Sequence, residues 1–246
     1  MTVTVYSVPR ERTSPRFARA FAFGCKGRIT TEAEHVDGPI AMFGSPHIWG
    51  VLTRAQEEGR AVYYGDHAYF GRQKFYRITK DAYQHDGRGR TNGLRFRVLG
   101  IDIEPWKTGR HILVCPPDRN YARLHGLDET AWIRGTLRTL RRHTDRPVRL
   151  RMRNGAERNP VSLRDALRDA HALVTHHSNA AVEALCMGVP VFVTGECAAR
   201  SMGGTDLTKI ETPEYPDDRK RWAGVLADNQ WTLDEMRRGM AWRHIR

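Results

Sequence analysis

The run Val174-Thr175-His176-His177-Ser178-Asn179-Ala180-Ala181 leads from an apolar strand through a tight polar turn into a helix. Ser178 and Asn179 fall at the helix start, where free backbone N–H groups and the helix dipole favour an anion. Their side chains and that of His177 add hydrogen-bonding groups, and Ala180-Ala181 lets a ligand approach the first turn closely. Glu183 follows one turn in. The segment Cys115-Pro116-Pro117-Asp118-Arg119 closes another strand, and its two prolines make a rigid turn that presents Asp118 and Arg119. Arg151 and Arg153 alternate on a third strand, placed to pair with phosphate. In an open α/β sheet these strand ends form the lip at which ligands bind. An ordinary helix cap at Ser178 and a plain strand exit at Asp118 account for the same residues without a ligand.

A second set suits proton transfer. Asp66 and His67, in Tyr64-Gly65-Asp66-His67, end a strand, and His47, in Gly44-Ser45-Pro46-His47, follows another. A carboxylate or imidazole at such a lip can take a proton from an attacking hydroxyl. A turn or cap role competes for Asp66, and Glu32 and Glu34 are less well placed. Metal chemistry has no signature. The four cysteines form no C-x-x-C, the eleven histidines form no H-x-x-x-H, and no D-x-D occurs. That cysteine usage reads as a reduced, cytoplasmic chain, and no secretory leader or membrane span is expected.

Charge points to a polyanion. The 246 residues carry 40 Lys+Arg against 28 Asp+Glu, a net charge of +12, and 34 of the bases are arginines. Residues 134–168 hold eleven arginines and three acids, two-thirds of the net excess. Arg134, Arg138, Arg141 and Arg142 fall on one helix face. The run 69–77 interleaves Tyr69, Phe70, Arg72 and Lys74, and Arg88 and Arg90 sit in a Gly-rich loop. These bases suit a nucleic-acid backbone, with Tyr63, Tyr64, Tyr69 and Phe70 as stacking candidates. A solvated basic surface gives the same composition.

The elements that must position these groups follow from periodicity and punctuation. Strands at 2–8, 39–43 and 60–64 alternate with helices at 14–25 and 46–58, a β-α-β-α-β series that implies a parallel sheet. Residues 67–108 break the rhythm, with a loop at 85–93 and a strand at 94–99. A second series places strands at 111–115, 148–152, 172–175 and 189–194, and helices near 128–143, 162–169 and 179–187. Two helices, at 217–228 and 232–244, end the chain, the second capped by Thr232 with Asp234 and Glu235 in its first turn. The expected architecture is α/β, with two Rossmann-like doubly wound parallel sheets facing a cleft. Its divisions are a first half over 1–108, a second half over 109–230, and a C-terminal helix over 231–246 that packs back on the first half.

The segment SNAAVEALCMGVPVFVTG, residues 178–195, resembles the signature of two-domain GT-B glycosyltransferases, in which E-A-x-x-x-G-x-P follows small polar residues. Epimerases of nucleotide sugars share that fold. The resemblance implies that Ser178 and Asn179 hold the donor's diphosphate, that Glu183 lies near its ribose or sugar, and that Gly188 and Pro190 are structural. It further implies that the half over 1–108 is the acceptor side and supplies the base and that the half over 109–230 holds the nucleotide sugar, while the lack of D-x-D points to a metal-independent reaction. The ending Gln230-Trp231-Thr232-Leu233-Asp234-Glu235 resembles tails of phage-encoded proteins of this type.

Together with the basic charge, this implies a phage DNA-base glycosyltransferase. It would move a sugar from a UDP-linked donor to a 5-hydroxymethylpyrimidine in double-stranded DNA. The partners expected are that DNA and the nucleotide sugar. The chain is expected to be a monomer in the host cytoplasm, with no tightly bound cofactor and no membrane partner. A carbohydrate or lipid-linked acceptor, a non-enzymatic DNA-binding role and an epimerase remain open. A polybasic stripe on the N-terminal half would favour the carbohydrate or lipid-linked acceptor.

Overall fold

The structure is a computed structural model, and it describes residues 2–34, 36–152 and 161–246. Two compact units divide the chain: Met1–His85 joined by Leu226–Arg246, and Asp86–Val225. Residues 86–108, read from the sequence with the first half, thus belong to the second unit.

The first unit is built on β1 (Thr4–Tyr6), α1 (Ser14–Cys25), β2 (Arg28–Thr30), β3 (Ile40–Phe43), α2 (Trp49–Glu57), β4 (Val62–His67) and β5 (Tyr76–Lys80). The second contains α3 (Leu94–Val98), β6 (His111–Cys115), α4 (Arg119–Leu124), α5 (Glu129–His143), β7 (Val148–Leu150), α6 (Leu163–Leu167), β8 (Ala170–Thr175), α7 (Ala180–Cys186) and β9 (Val191–Val193). The chain returns to the first unit within α8 (Arg219–Asp228). It ends in β10 (Gln230–Trp231), α9 (Leu233–Arg237) and α10 (Met240–Ile245).

The first sheet has the order β10-β5-β4-β3-β1-β2. Strands β1 to β4 are parallel, as the β-α-β-α-β reading expects, but β5 pairs antiparallel to β4 and β10 antiparallel to β5. The sheet is therefore mixed rather than wholly parallel. Its core joins Val5, Phe17, Phe21, Ala41, Phe43, Tyr63 and Ile78 to Trp231 and Met236 from the C-terminal segment. Tyr63, offered as a base-stacking residue, is buried there between Phe21 and Trp242.

The second sheet, β7-β6-β8-β9, is all parallel, around a core of Ile112, Val114, Leu140, Ala172, Val174 and Phe192. Gly188 has φ +71 and lies so close to the Pro105 carbonyl that a Cβ would meet its oxygen. The glycine of the G-x-P motif is thus a packing requirement.

Two local readings change. Residues 94–99 alternate like a strand, yet form α3. The Asn92 carboxamide accepts from Leu94 N at 2.9 Å, Thr91 Oγ1 accepts from Gly93 N, and Gly93 is left-handed, so side-chain turns start a helix here. Phe96 is buried, whereas Leu94 and Val98 are exposed, so the alternation had no sheet to face. The last helix breaks at Gly239, at φ +71, into α9 and α10. The Thr232 cap holds, as a full capping box with Glu235.

Candidate functional site

In the second unit β6 and β8 are neighbours, with Cys115 opposite Thr175 at their C-terminal ends. The Thr175 hydroxyl donates to the Cys115 carbonyl at 2.6 Å and accepts from Ser178 N at 3.3 Å, which ties the two exit loops together. Asp118 caps α4, accepting from Asn120 N and Tyr121 N at 2.9 and 3.0 Å. Its second carboxylate oxygen lies 3.9 Å from His177 Nε2. Tyr121, on the helix that Asp118 starts, stacks on His177 at 3.5 Å with the rings 9° apart, and the His125 ring lies 4.0 Å from it, tilted by 32°.

His176 sits behind this stack. Its ring packs against Gly195, where a Cβ would come within 2.1 Å of Cε1, and faces Trp132, whose Nε1 donates to Thr194 Oγ1. Burial, reinforced by His177, His125 and Arg200, lowers the His176 imidazole to about 4, so it is neutral at physiological pH. Its buried Nδ1 has no hydrogen-bond partner among the described residues. Burial also lowers His125.

The Ser178 hydroxyl accepts from Ala180 N at 3.2 Å, so it closes the first turn of α7 locally, while Asn179 at the cap makes no side-chain cap bond. Glu183 is exposed one turn further on, and Arg119 is exposed on α4. Arg151 follows β7, with its backbone N on the Val114 carbonyl and Nη1 on the Val161 carbonyl. Arg153 lies outside the described residues. Apart from Arg153, the residues expected at the donor thus lie along one sheet lip, with Tyr121, His125, His176 and Trp132 added. Cys115 and Cys186 are pushed up to about 12 by burial, so neither is a nucleophile.

In the first unit the C-terminal ends of β1 and β3 carry a second polar group. Ser45 Oγ donates to Glu11 Oε1 at 2.5 Å and accepts from His47 N, and Arg10 Nη2 lies 2.8 Å from His47 Nδ1. Sequence reasoning missed Glu11, which stands in a polar loop with no motif around it. Asp66 has a different setting. It lies directly opposite Arg77 across β4 and β5, and its Oδ2 accepts from Arg77 Nη2 at 2.6 Å. Its Oδ1 accepts from His67 N. Arg77 is 3% exposed, so Asp66 is the counter-ion of a buried guanidinium. His67 is exposed, edge-on to Phe43.

The bases assigned to DNA fall on both units. Arg72, Lys74, Arg88 and Arg90 are exposed on loops. Tyr69 is 4% exposed, its hydroxyl accepts from His85 N, and Arg77 lies over its ring, so no base stacks there. Tyr64 packs edge-on to Tyr83, and both main-chain groups of Phe70 are bonded to the Gln230 carboxamide. Arg138 and Arg142 are exposed on α5. Arg141 and Arg142 line a groove of about 640 Å³ with Arg110, His143, Arg146 and Glu211. Arg110 and Arg146 precede β6 and β7, which puts this groove at the opposite end of the sheet from Ser178.

Among the described residues no His, Cys, Asp and Glu side chains cluster to hold a metal ion, and no helix is long and apolar enough to cross a membrane. No protein-family model matches the chain, and no curated protein does. Solved structures do. The beta Kdo 2,7 transferase of KpsC from Thermosulfurimonas dismutans is 12% identical with a TM-score of 0.60, over 99% of this chain and all of that one. The beta Kdo 2,4 transferase of KpsC from the same organism is also 12% identical, with a TM-score of 0.56, over 92% of this chain and 89% of that one. The likeness is one of fold, and it extends over both units: this chain has the α/β fold of these two transferases.

Proposed function

We propose that the chain is a glycosyltransferase that takes a nucleotide-sugar donor at the lip of the second sheet and a carbohydrate acceptor. The observation that carries this reading is the convergence of the β6 and β8 exits. The polar start of α7 and the flat Tyr121–His177 stack meet there, beside a neutral imidazole whose buried Nδ1 has no hydrogen-bond partner among the described residues. The Asn179 side chain and the Ser178 hydroxyl suit a donor phosphate, with Arg119 and Arg151 as flanking charges. The stack suits the face of a base or sugar ring. Transfer needs a group that takes the acceptor hydroxyl's proton. Glu11 fits that role better than Asp66, because Asp66 is committed to buried Arg77.

A carbohydrate acceptor is better supported than hydroxymethylated DNA. The fold neighbours are Kdo transferases, and Tyr69 is unable to stack on a flipped base. The test is an incubation of the protein with UDP-linked hexoses and CMP-linked acidic sugars. Acidic oligosaccharides and hydroxymethylated DNA are offered in parallel, and the products are weighed. A sugar-sized gain on an oligosaccharide supports the proposal. A gain on the DNA alone restores that acceptor, and no transfer from any donor sinks the activity. Ser178→Ala/Asn179→Ala should weaken donor binding at least tenfold by calorimetry, and an unchanged affinity would remove the donor site from α7.

A further inference from the structure

Helix α1 buries Phe17, Ala18, Ala20, Phe21 and Ala22. Its opposite face is a stripe: Arg16, Arg19 and Phe23, continued by Lys26 at the C-cap, recur three and four residues apart and are all exposed. Arg12, just before the helix, is exposed as well. No acidic residue occurs between Arg12 and Thr31. Arg12, Arg16 and Arg19 have no ion-pair partner among the described residues.

The C-terminal helices widen this face. Helix α1 packs against α9 and α10 through glycines. A Cβ on Gly24 would lie 1.9 Å from the Met236 carbonyl oxygen and 3.1 Å from Gly239 Cα, so no side chain fits in the seam. The neighbours of these two glycines, Phe23 and Met240, therefore flank one seam. Phe23 is 70% exposed and Met240 41%. The Arg237 guanidinium stands 5.6 Å from the Phe23 ring centroid, and Arg243 is exposed on α10.

We propose that this face docks the chain peripherally on an anionic lipid surface. Charge complementarity selects the occupant. Cations spread along a helix without fixed acidic partners suit a negative charge smeared over headgroups, which needs no register. Phe23 and Met240 project from among these cations and require an apolar phase. A nucleic acid or an acidic glycan would satisfy the arginines and give the Phe23 ring a face to stack on, but would leave Met240 in water. The proposal is independent of the enzymatic activity, since it concerns only α1, α9 and α10.

The test is co-sedimentation of the full chain with vesicles of phosphatidylcholine alone and of phosphatidylcholine mixed with phosphatidylglycerol, at low and high salt. Binding is expected to the mixed vesicles, weakening with salt. Arg16→Glu/Arg19→Glu should reduce it about tenfold or more, because two charges are reversed at the surface. Phe23→Ser/Met240→Ser should reduce it comparably at constant charge. All four side chains are exposed, so circular dichroism should show every variant folded. Arg88→Glu, an exposed base elsewhere, serves as the control and should bind as the parent does. Equal binding to neutral vesicles, or unchanged binding of either double variant, overturns the proposal. Retention on heparin that depends on Arg16 and Arg19, without vesicle binding, also overturns it and makes the stripe a polyanion site.

Discussion

Asp66 and Arg77 offer a direct measurement of how the first sheet is held together. Asp66→Ala strips the counter-ion from a guanidinium that is 3% exposed and cannot rehydrate without opening β5. Removing one partner of a buried pair costs about 3–5 kcal/mol. Two features pull this toward the lower end. Arg77 Nη1 keeps its bond to the His67 carbonyl, and the Asp66 carboxylate is itself about one-third exposed, so solvent already screens the pair. A loss of about 3 kcal/mol is therefore expected, and in a chain of this size it lowers Tm by about 6–12 °C. Arg77→Met leaves an Asp66 that water can reach, so its cost should be smaller, about 1–2 kcal/mol. The double variant should lose less than the two singles together, because each single strands a charge that the double removes. Denaturant unfolding of the parent and the three variants reads all of these terms. An Asp66→Ala protein that melts within a degree or two of the parent would refute the counter-ion assignment and return Asp66 to the list of bases.

Two other predictions concern the lip of the second sheet. The His176 imidazole sits at about 4 in the folded chain against an ordinary 6.5, so between these values the unfolded chain binds more protons. Stability from this group is complete above pH 6.5 and is lost as pH falls toward 4. The ceiling of about 3 kcal/mol comes down to about 1–2 kcal/mol because the ring is only half-buried. Unfolding midpoints at stepped pH should show a shallower acid loss in His176→Phe than in the parent, with buried His111 and His171 supplying the remainder, and an identical slope would refute it. Gly195→Ala would drive a methyl into that ring, at 2.1 Å from Cε1. It should cost about 1–3 kcal/mol of stability and weaken donor binding more than Gly135→Ala, whose glycine lies within α5 with open space around it. Equal melting and equal donor affinity would mean that the His176 ring is free to move aside.

How far the fold could be read depended on whether an element carried its own apolar signal. Strands β1, β3, β6, β8 and β9 are buried along their length and stood out as short apolar runs. Edge strand β2 was missed because Arg28 and Ile29 are exposed and Thr30 only half-buried, so nothing in its composition marks a buried face. Strand β5 hid in an aromatic-basic run. Its buried positions include Arg77, a charge tolerated in a sheet interior only because Asp66 stands opposite on β4. Gln230 and Trp231 read as the start of a tail, yet both are buried. The Gln230 side chain is bonded to both main-chain groups of Phe70, 160 residues earlier in the chain.

Polar residues at strand ends look alike in sequence whether they cap, pair or react, and what separates them is the partner. Asp118 caps its own helix two and three residues on, so its structural role is local and follows from the strand exit. The partner of Asp66 is eleven residues away and directly opposite it, which becomes visible only when β5 is known to turn back along β4. Glu11 meets Ser45 across 34 residues because β1 and β3 are adjacent in a sheet whose order is not the order of the chain. Tyr121 reaches His177 by the same route, through the pairing of β6 with β8. Positions at a lip follow from motif and period, because a strand that runs into a helix must leave polar groups where the two meet. The choice among those positions follows from strand order. That is why the proposed proton acceptor is Glu11, whose neighbour is a hydroxyl, and not Asp66, whose charge is spent on Arg77.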